Sequence, residues 1–131
     1  MSTLAADDAR MVARNYYQLA TAVGAFRFAN WTRMTKRDRD RLESLEWTLL
    51  TDSSDFTTHA INLAVDDLQA AVADIGAATI RLRRAVERTD RVRTAIGIAT
   101  TAVSLGAALV TGNAGAIAEA LADATTAATA G

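Results

Sequence analysis

Residues 61–86 read INLAVDDLQAAVADIGAATIRLRRAV, and their apolar positions recur at heptad spacing. With Ile61 at position d, the d sites are Ile61, Leu68, Ile75 and Leu82, and the a sites are Val65, Val72, Thr79 and Val86. The g sites are all alanine (Ala64, Ala71, Ala78, Ala85), which widens the stripe to the a, d and g face of a bundle interior. The charges Asp66, Asp67, Asp74, Arg81, Arg84, Glu87, Arg88 and Arg91 fall on b, c or f, the face turned to solvent. A two-stranded zipper places charges at e and g. Here e holds Asn62, Gln69, Gly76 and Arg83, so the pattern predicts the spine of an antiparallel helical bundle. Its apolar seam, Ile61, Val65, Leu68, Val72, Ile75, Leu82 and Val86, is the expected surface of self-association.

Downstream, Thr94 to Ala118 carries no charge over 25 residues. Such a stretch is long enough to be a membrane span. Its strong apolar side chains are Ile96, Ile98, Val103, Leu105, Leu109 and Val110, set among Ala, Gly, Thr and Ser. Six such residues supply only about 2–4 kcal/mol of insertion drive. The expectation is therefore a helix buried in protein, with conditional membrane insertion as the alternative. Six arginines precede the run and only Glu119 and Asp123 follow it, so in a spanning arrangement its N-terminal side faces the cytoplasm. Ala102 and Gly106 form a small-x-x-x-small pair that lets two helices approach closely. Gly112-Asn113-Ala114-Gly115 reads as a turn, with a short alanine-rich helix from about residue 116 to 128.

Upstream, Val12, Tyr16, Leu19, Val23 and Phe26 are spaced 4-3-4-3 and predict a helix over about residues 3–30. Leu42, Leu45 and Leu49 share one face of a second helix over about 35–50, joined to the first by a hinge at Trp31 to Met34. Thr51-Asp52-Ser53-Ser54-Asp55 reads as a break that caps a third helix running from residue 54 to at least 93. All seven aromatics lie before residue 57, and Trp31 and Trp47 are expected to close the wide end of the bundle as core or interface groups. Trp31-Thr32-Arg33 lacks the glycine of the Trp-x-Gly turn found in small helical-hairpin secretion substrates, and no family is identified from it.

The 131 residues suit one domain: an aromatic-rich hairpin or bent helix over 1–52, the heptad helix over 54–93, and a charge-free helix, turn and short helix over 94–131. The absence of proline favours long helices. The absence of cysteine excludes disulfides and thiolate metal sites. MSTLAADDAR has no basic stretch leading into an apolar one, so a cytoplasmic or membrane-associated location without a secretory signal is expected.

A net charge of −1 conceals two basic stretches. Arg27, Arg33, Lys36, Arg37, Arg39 and Arg41 form one; Arg81, Arg83, Arg84, Arg88, Arg91 and Arg93 form the other. Each includes two acidic residues and is about +4. Arg81, Arg84, Arg88 and Arg91 make a candidate basic patch for phosphates of lipid or nucleic acid. Interleaved acids, as in Lys36-Arg37-Asp38-Arg39-Asp40-Arg41, mark a solvated face more often than a phosphate track. Nucleic acid is therefore the weakest of the expected partners.

Catalytic signals are poor. His59 is the single histidine, with Asp55 one turn earlier, and the heptad turns it to water. Glu43 and Glu46 lack the histidine of a di-metal helix motif. No glycine-rich loop is followed by a lysine. The sequence predicts an all-α, elongated antiparallel bundle of three to four helices with a hydrophobic C-terminal hairpin. It predicts a non-enzymatic assembly protein without cofactor, metal or small-molecule substrate, whose main partner is another copy of the chain.

Overall fold

The chain is helical almost throughout, as its alanine content and lack of proline require. The computed structural model describes residues 2–129. Among them five helices pack on one another: α1 Ala6–Ala29, α2 Lys36–Thr58, α3 Leu68–Arg88, α4 Val92–Thr111 and α5 Ala114–Thr129. Two short strands, β1 Ser2–Thr3 and β2 Asn62–Leu63, pair antiparallel with Ser2 opposite Leu63.

Helix α1 turns back into α2 through a 3-10 turn at Trp31–Arg33, and Thr35 caps α2 by accepting from the Asp38 amide at 3.2 Å. Helix α3 runs parallel to α1, because Met11 lies over Gly76 and Asn15 donates to Thr79 Oγ1 at 2.9 Å. Helix α4 runs parallel to α2, with Tyr16 of α1 donating to the Ala102 carbonyl at 2.9 Å and Asp52 lying against Gly106. Helix α5 returns beside α3 and α4, and Arg88 reaches the Ala128 carbonyl at 3.4 Å. One core joins all five helices, with Val12, Tyr16, Leu19, Leu42, Leu49, Ile75, Leu82, Ile98, Leu105 and Leu109 at its centre.

Several expectations are corrected. The long third helix from residue 54 does not form. Thr51-Asp52-Ser53-Ser54-Asp55 continues α2: the hydroxyls of Thr51, Thr57 and Thr58 bond the carbonyls four residues back and that of Ser53 bonds the Ala13 carbonyl of α1, so none competes for the amides ahead. The apolar stripe of α2 also continues to Phe56, which packs edge-on against Tyr16 at 5.2 Å. Residues 61–65 are extended: Ile61 and Leu63 are buried, while Asn62 and Ala64 are exposed, a period of two inside the assumed heptad. Helix α3 starts only after Asp67, which accepts from the Ala70 amide at 3.1 Å, and ends before Thr89. A turn at Thr89-Asp90-Arg91 separates it from α4. The turn expected over Gly112-Asn113-Ala114-Gly115 is confined to Gly112 and Asn113, with Gly112 at φ 71°, and α5 already begins at Ala114. The accessible surface of 7111 Å² is close to the ~6,700 Å² of a compact monomer of 13.9 kDa, so five short helices replace the elongated bundle of three to four.

The heptad seam faces this chain's own neighbours. Ile61, Ile75, Leu82 and Val86 are buried, and Val65, Leu68 and Val72 are half-buried, with α3 packed between α1 and α5. Most of that stripe is therefore covered within the chain, with Val65, Leu68 and Val72 left partly accessible.

Candidate interaction surface

The alternation of helix directions sorts the charged residues by end. The α1–α2 turn, the α3–α4 turn and the end of α5 share one pole. The two strands and the α4–α5 turn share the other. At the first pole Arg33 donates to the backbone carbonyl of Asp90, which joins the two basic stretches across 57 residues of chain. At 1.5 Å rise per residue, Arg81 lies only about 10 Å from Arg88 along the axis, so the second stretch is confined to this end of the molecule. Together the stretches carry about +8 in a chain of net −1. The opposite pole holds Asp7, Asp8, Asp52, Asp55, Asp66 and Asp67 against Arg10 and Arg14.

Helix electrostatics do not account for this segregation. In α2, Lys36, Arg37, Arg39 and Arg41 outnumber Asp38 and Asp40 in the first two turns, while Asp52 and Asp55 occupy the last two. A cation at a helix N-terminus and an anion at its C-terminus oppose the macrodipole by about 0.3–1 kcal/mol each. Arg91 and Arg93 repeat the arrangement at the start of α4. Among the described residues Arg33, Arg37, Arg41, Arg84, Arg91 and Arg93 take part in no ion pair.

An aromatic stack stands in the middle of these cations. Phe28 and Trp31 are stacked, with centroids 6.2 Å apart and planes at 17°. Arg27 lies over both, 5.0 Å from the Phe28 ring and 5.8 Å from Trp31, and Arg39 lies 4.8 Å from Trp31. Both arginines are held. Arg27 pairs with Glu46 at 3.1 Å and Glu43 at 3.8 Å, and Gly24 leaves the room that Glu46 needs. Arg39 donates to the carbonyls of Trp31 and Met34 at 2.9 and 3.0 Å. Phe28 is nonetheless 71% exposed and Trp31 43%. Two such rings leave roughly 200 Å² of apolar surface in water, about 5 kcal/mol of unrealised burial. Trp47 is also exposed, so neither tryptophan is a core group.

A groove of about 500 Å³ between α1 and α3 opens towards this pole past Asn30 and Thr89, with Tyr17, Arg83 and Glu87 on its walls.

Of the four arginines named in the candidate patch, Arg88 and Arg91 border the α3–α4 turn, while Arg81 and Arg84 lie further down the exposed side of α3. Ile98, Leu105 and Leu109 of the apolar helix are buried in the core; Ile96 and Val103 are half-buried, and Val110 is 67% exposed. Helix α4 is long and apolar enough to cross a membrane by length and composition, a test that the core helix of a soluble protein also passes.

A second polar feature escaped the sequence reading. Asp52 continues the spacing of Leu42, Leu45 and Leu49 and so faces the core between Gly106 and Tyr16. Its Oδ2 has no hydrogen-bond partner among the described residues. Burial, reinforced by Asp55, raises its pKa from the ordinary 3.8 to about 6. Burial, with Asp52 nearby, also pushes the Tyr16 hydroxyl upward. His59 lies at the far pole, exposed and bonded to Thr58 through Nδ1. No group of three His, Cys, Asp or Glu side chains fit to hold a metal occurs among the described residues.

Comparison with protein-family models, curated proteins and solved structures finds no match for this chain.

Proposed function

We propose that this chain is a non-enzymatic helical interaction protein that presents its basic, aromatic-tipped pole to an anionic partner. The observation that carries this reading is the Arg33–Asp90 contact, which merges two modest basic stretches into one patch. The interleaved acids leave the two stretches with a combined excess of about +8, which Glu43 and Glu46 beside Arg27 lower to about +6. The reversed charge order in α2 supports the same reading, since it opposes local helix stability.

A heparin column is the direct test. The full chain should be retained and released by salt, because displacement of counterions makes such binding fall steeply with ionic strength. Arg37→Glu with Arg91→Glu should elute several-fold earlier in salt, while Arg10→Glu at the other pole should not. Equal elution of all three proteins would refute the reading.

Association of copies is the second reading, and the acidic pole favours it. Opposite charges at the two ends would let copies stack head to tail, a heterologous contact that extends unless the rotation closes. Light scattering would then show a mass that rises with concentration and falls to 13.9 kDa in high salt.

A further inference from the structure

We infer that the anionic partner is a lipid bilayer surface, with Phe28 and Trp31 entering the headgroup region and the surrounding arginines pairing with lipid phosphates. This rests on the reading of the basic pole given above.

Three features favour a planar lipid surface over a strand of nucleic acid. The cations lie at two separate turns and the helix ends beside them, with Arg27 and Arg39 against the aromatic stack and Arg33 reaching the turn that carries Arg91, instead of following a line along the molecule. A single strand is bound along a positively charged groove. The groove beside this pole has Tyr17 and Phe26 on its walls but sets a single cation, Arg83, against Glu87, so it carries no net positive charge. The exposed aromatics are also of the kind that settles at a membrane interface, where an amphipathic ring meets both headgroups and acyl chains. Their two supporting arginines are fixed by Glu46 and by backbone carbonyls, so the rings are held outward before any partner arrives.

The third feature is the position of α4. Its apolar run begins at this same pole, directly after Arg91 and Arg93. Docking the pole on a membrane places the start of that helix at headgroup depth. The acidic pole points away from an anionic bilayer, so the charge distribution admits one orientation. Peripheral docking needs no change in the fold, and α4 stays packed against α2, α3 and α5.

The test is co-flotation of the full chain with vesicles of pure phosphatidylcholine and of phosphatidylcholine with about one third phosphatidylserine. Each arginine close to an anionic surface is worth about fivefold in partitioning, so the mixed vesicles should bind at least tenfold more protein. Phe28→Ser should lower that binding about tenfold with only a small change in the thermal midpoint, because the ring is largely solvent-exposed and gives up only surface contacts with Trp31 and Arg27. Arg37→Glu with Arg91→Glu should abolish it. Quenching by brominated lipids should fall on Trp31, measured in a Trp47→Phe background. Should Trp47→Phe fail to fold, Phe28→Ser still decides. Retention on heparin without binding to mixed vesicles would overturn the lipid assignment and leave the anionic-partner reading standing. Binding of a single-stranded oligonucleotide with quenching of Trp31, and no vesicle binding, would do the same and name the other partner. Vesicle binding unchanged by the Phe28 and arginine variants would overturn the inference by moving the contact elsewhere. No retention on heparin and no vesicle binding would overturn both.

Discussion

Asp52 of α2 lies so close to Gly106 of α4 that a β-carbon on Gly106 would sit 2.5 Å from Asp52 Oδ2 and 3.2 Å from the Tyr16 ring. This absent side chain sets the approach of α4 to the aromatic half of the core. Alanine normally stabilises a helix interior by about 1 kcal/mol relative to glycine. At Gly106 overpacking of about 1–3 kcal/mol opposes that gain, so Gly106→Ala should be destabilising overall. Gly97 is the internal control, since nothing lies within 4 Å of its missing β-carbon. Gly97→Ala should raise stability by about 0.5–1 kcal/mol. Urea denaturation of the two variants should move their midpoints in opposite directions. A shared direction would show that the α2–α4 contact is looser than described.

The same carboxylate makes stability depend on pH. Asp52 holds its proton up to about pH 6 in the folded chain, against an ordinary value of 3.8. The folded state therefore binds this proton more tightly than the unfolded state. The resulting stabilisation is complete below about pH 4 and is lost as pH rises through 6. The whole shift corresponds to about 3 kcal/mol, and solvent reaching half of the group reduces this to about 1 kcal/mol. Asp52→Asn should thus be about 1 kcal/mol more stable than the parent at pH 7.5, with the gap closing by pH 4. Thermal unfolding across that range checks it, and a constant gap would rule out the titration.

Much of the fold follows from local pattern. The 4-3-4-3 spacing of Val12 to Phe26 gives α1, and the glycine at 112 gives the turn before α5. The misreadings have one physical source: a signal with two meanings. Serine, threonine and aspartate cap helices, yet inside α2 the threonine hydroxyls bond backward, Ser53 donates to the Ala13 carbonyl of α1, and the helix continues. Ile61 fits a heptad as well as a strand, whereas Leu63 falls at the solvent position f and fits only the strand that pairs with β1. The position of Asp52 was legible, because the spacing of Leu42, Leu45 and Leu49 runs straight through it to Phe56. The basic pole was not legible, since it depends on the Arg33–Asp90 contact between turns 57 residues apart.

The buried pair Asn15 and Thr79 is a place where one methyl group should matter. Asn15 donates to Thr79 Oγ1 at 2.9 Å, and that hydroxyl donates in turn to the Ile75 carbonyl at 3.0 Å. Thr79→Val keeps the shape and leaves the Asn15 amide with only the weak Met11 Sδ acceptor, at about 1–3 kcal/mol. Adding Asn15→Leu removes the stranded group, so the double variant should recover part of the loss. A double-mutant cycle by urea denaturation gives the coupling. Simple additivity of the two substitutions would mean that the pair does not interact.

Gly112 closes the molecule at the acidic pole. Its φ of 71° is in the left-handed region, and its carbonyl accepts from the Ala64 amide at 2.8 Å, which ties the end of α4 to the strand segment. A β-carbon at this position would run into the Asn62 carbonyl oxygen. Gly112→Ala therefore combines a left-handed alanine, about 1–2 kcal/mol, with a backbone collision that no rotamer relieves. A total loss of about 2–4 kcal/mol is expected. Asparagine separates the two effects, because it tolerates positive φ but carries the same β-carbon. If the close approach to Asn62 dominates, Gly112→Asn should lose nearly as much as Gly112→Ala. If conformation alone matters, asparagine should restore most of the stability, and the tie between α4 and β2 would then be weaker than the 2.8 Å hydrogen bond implies.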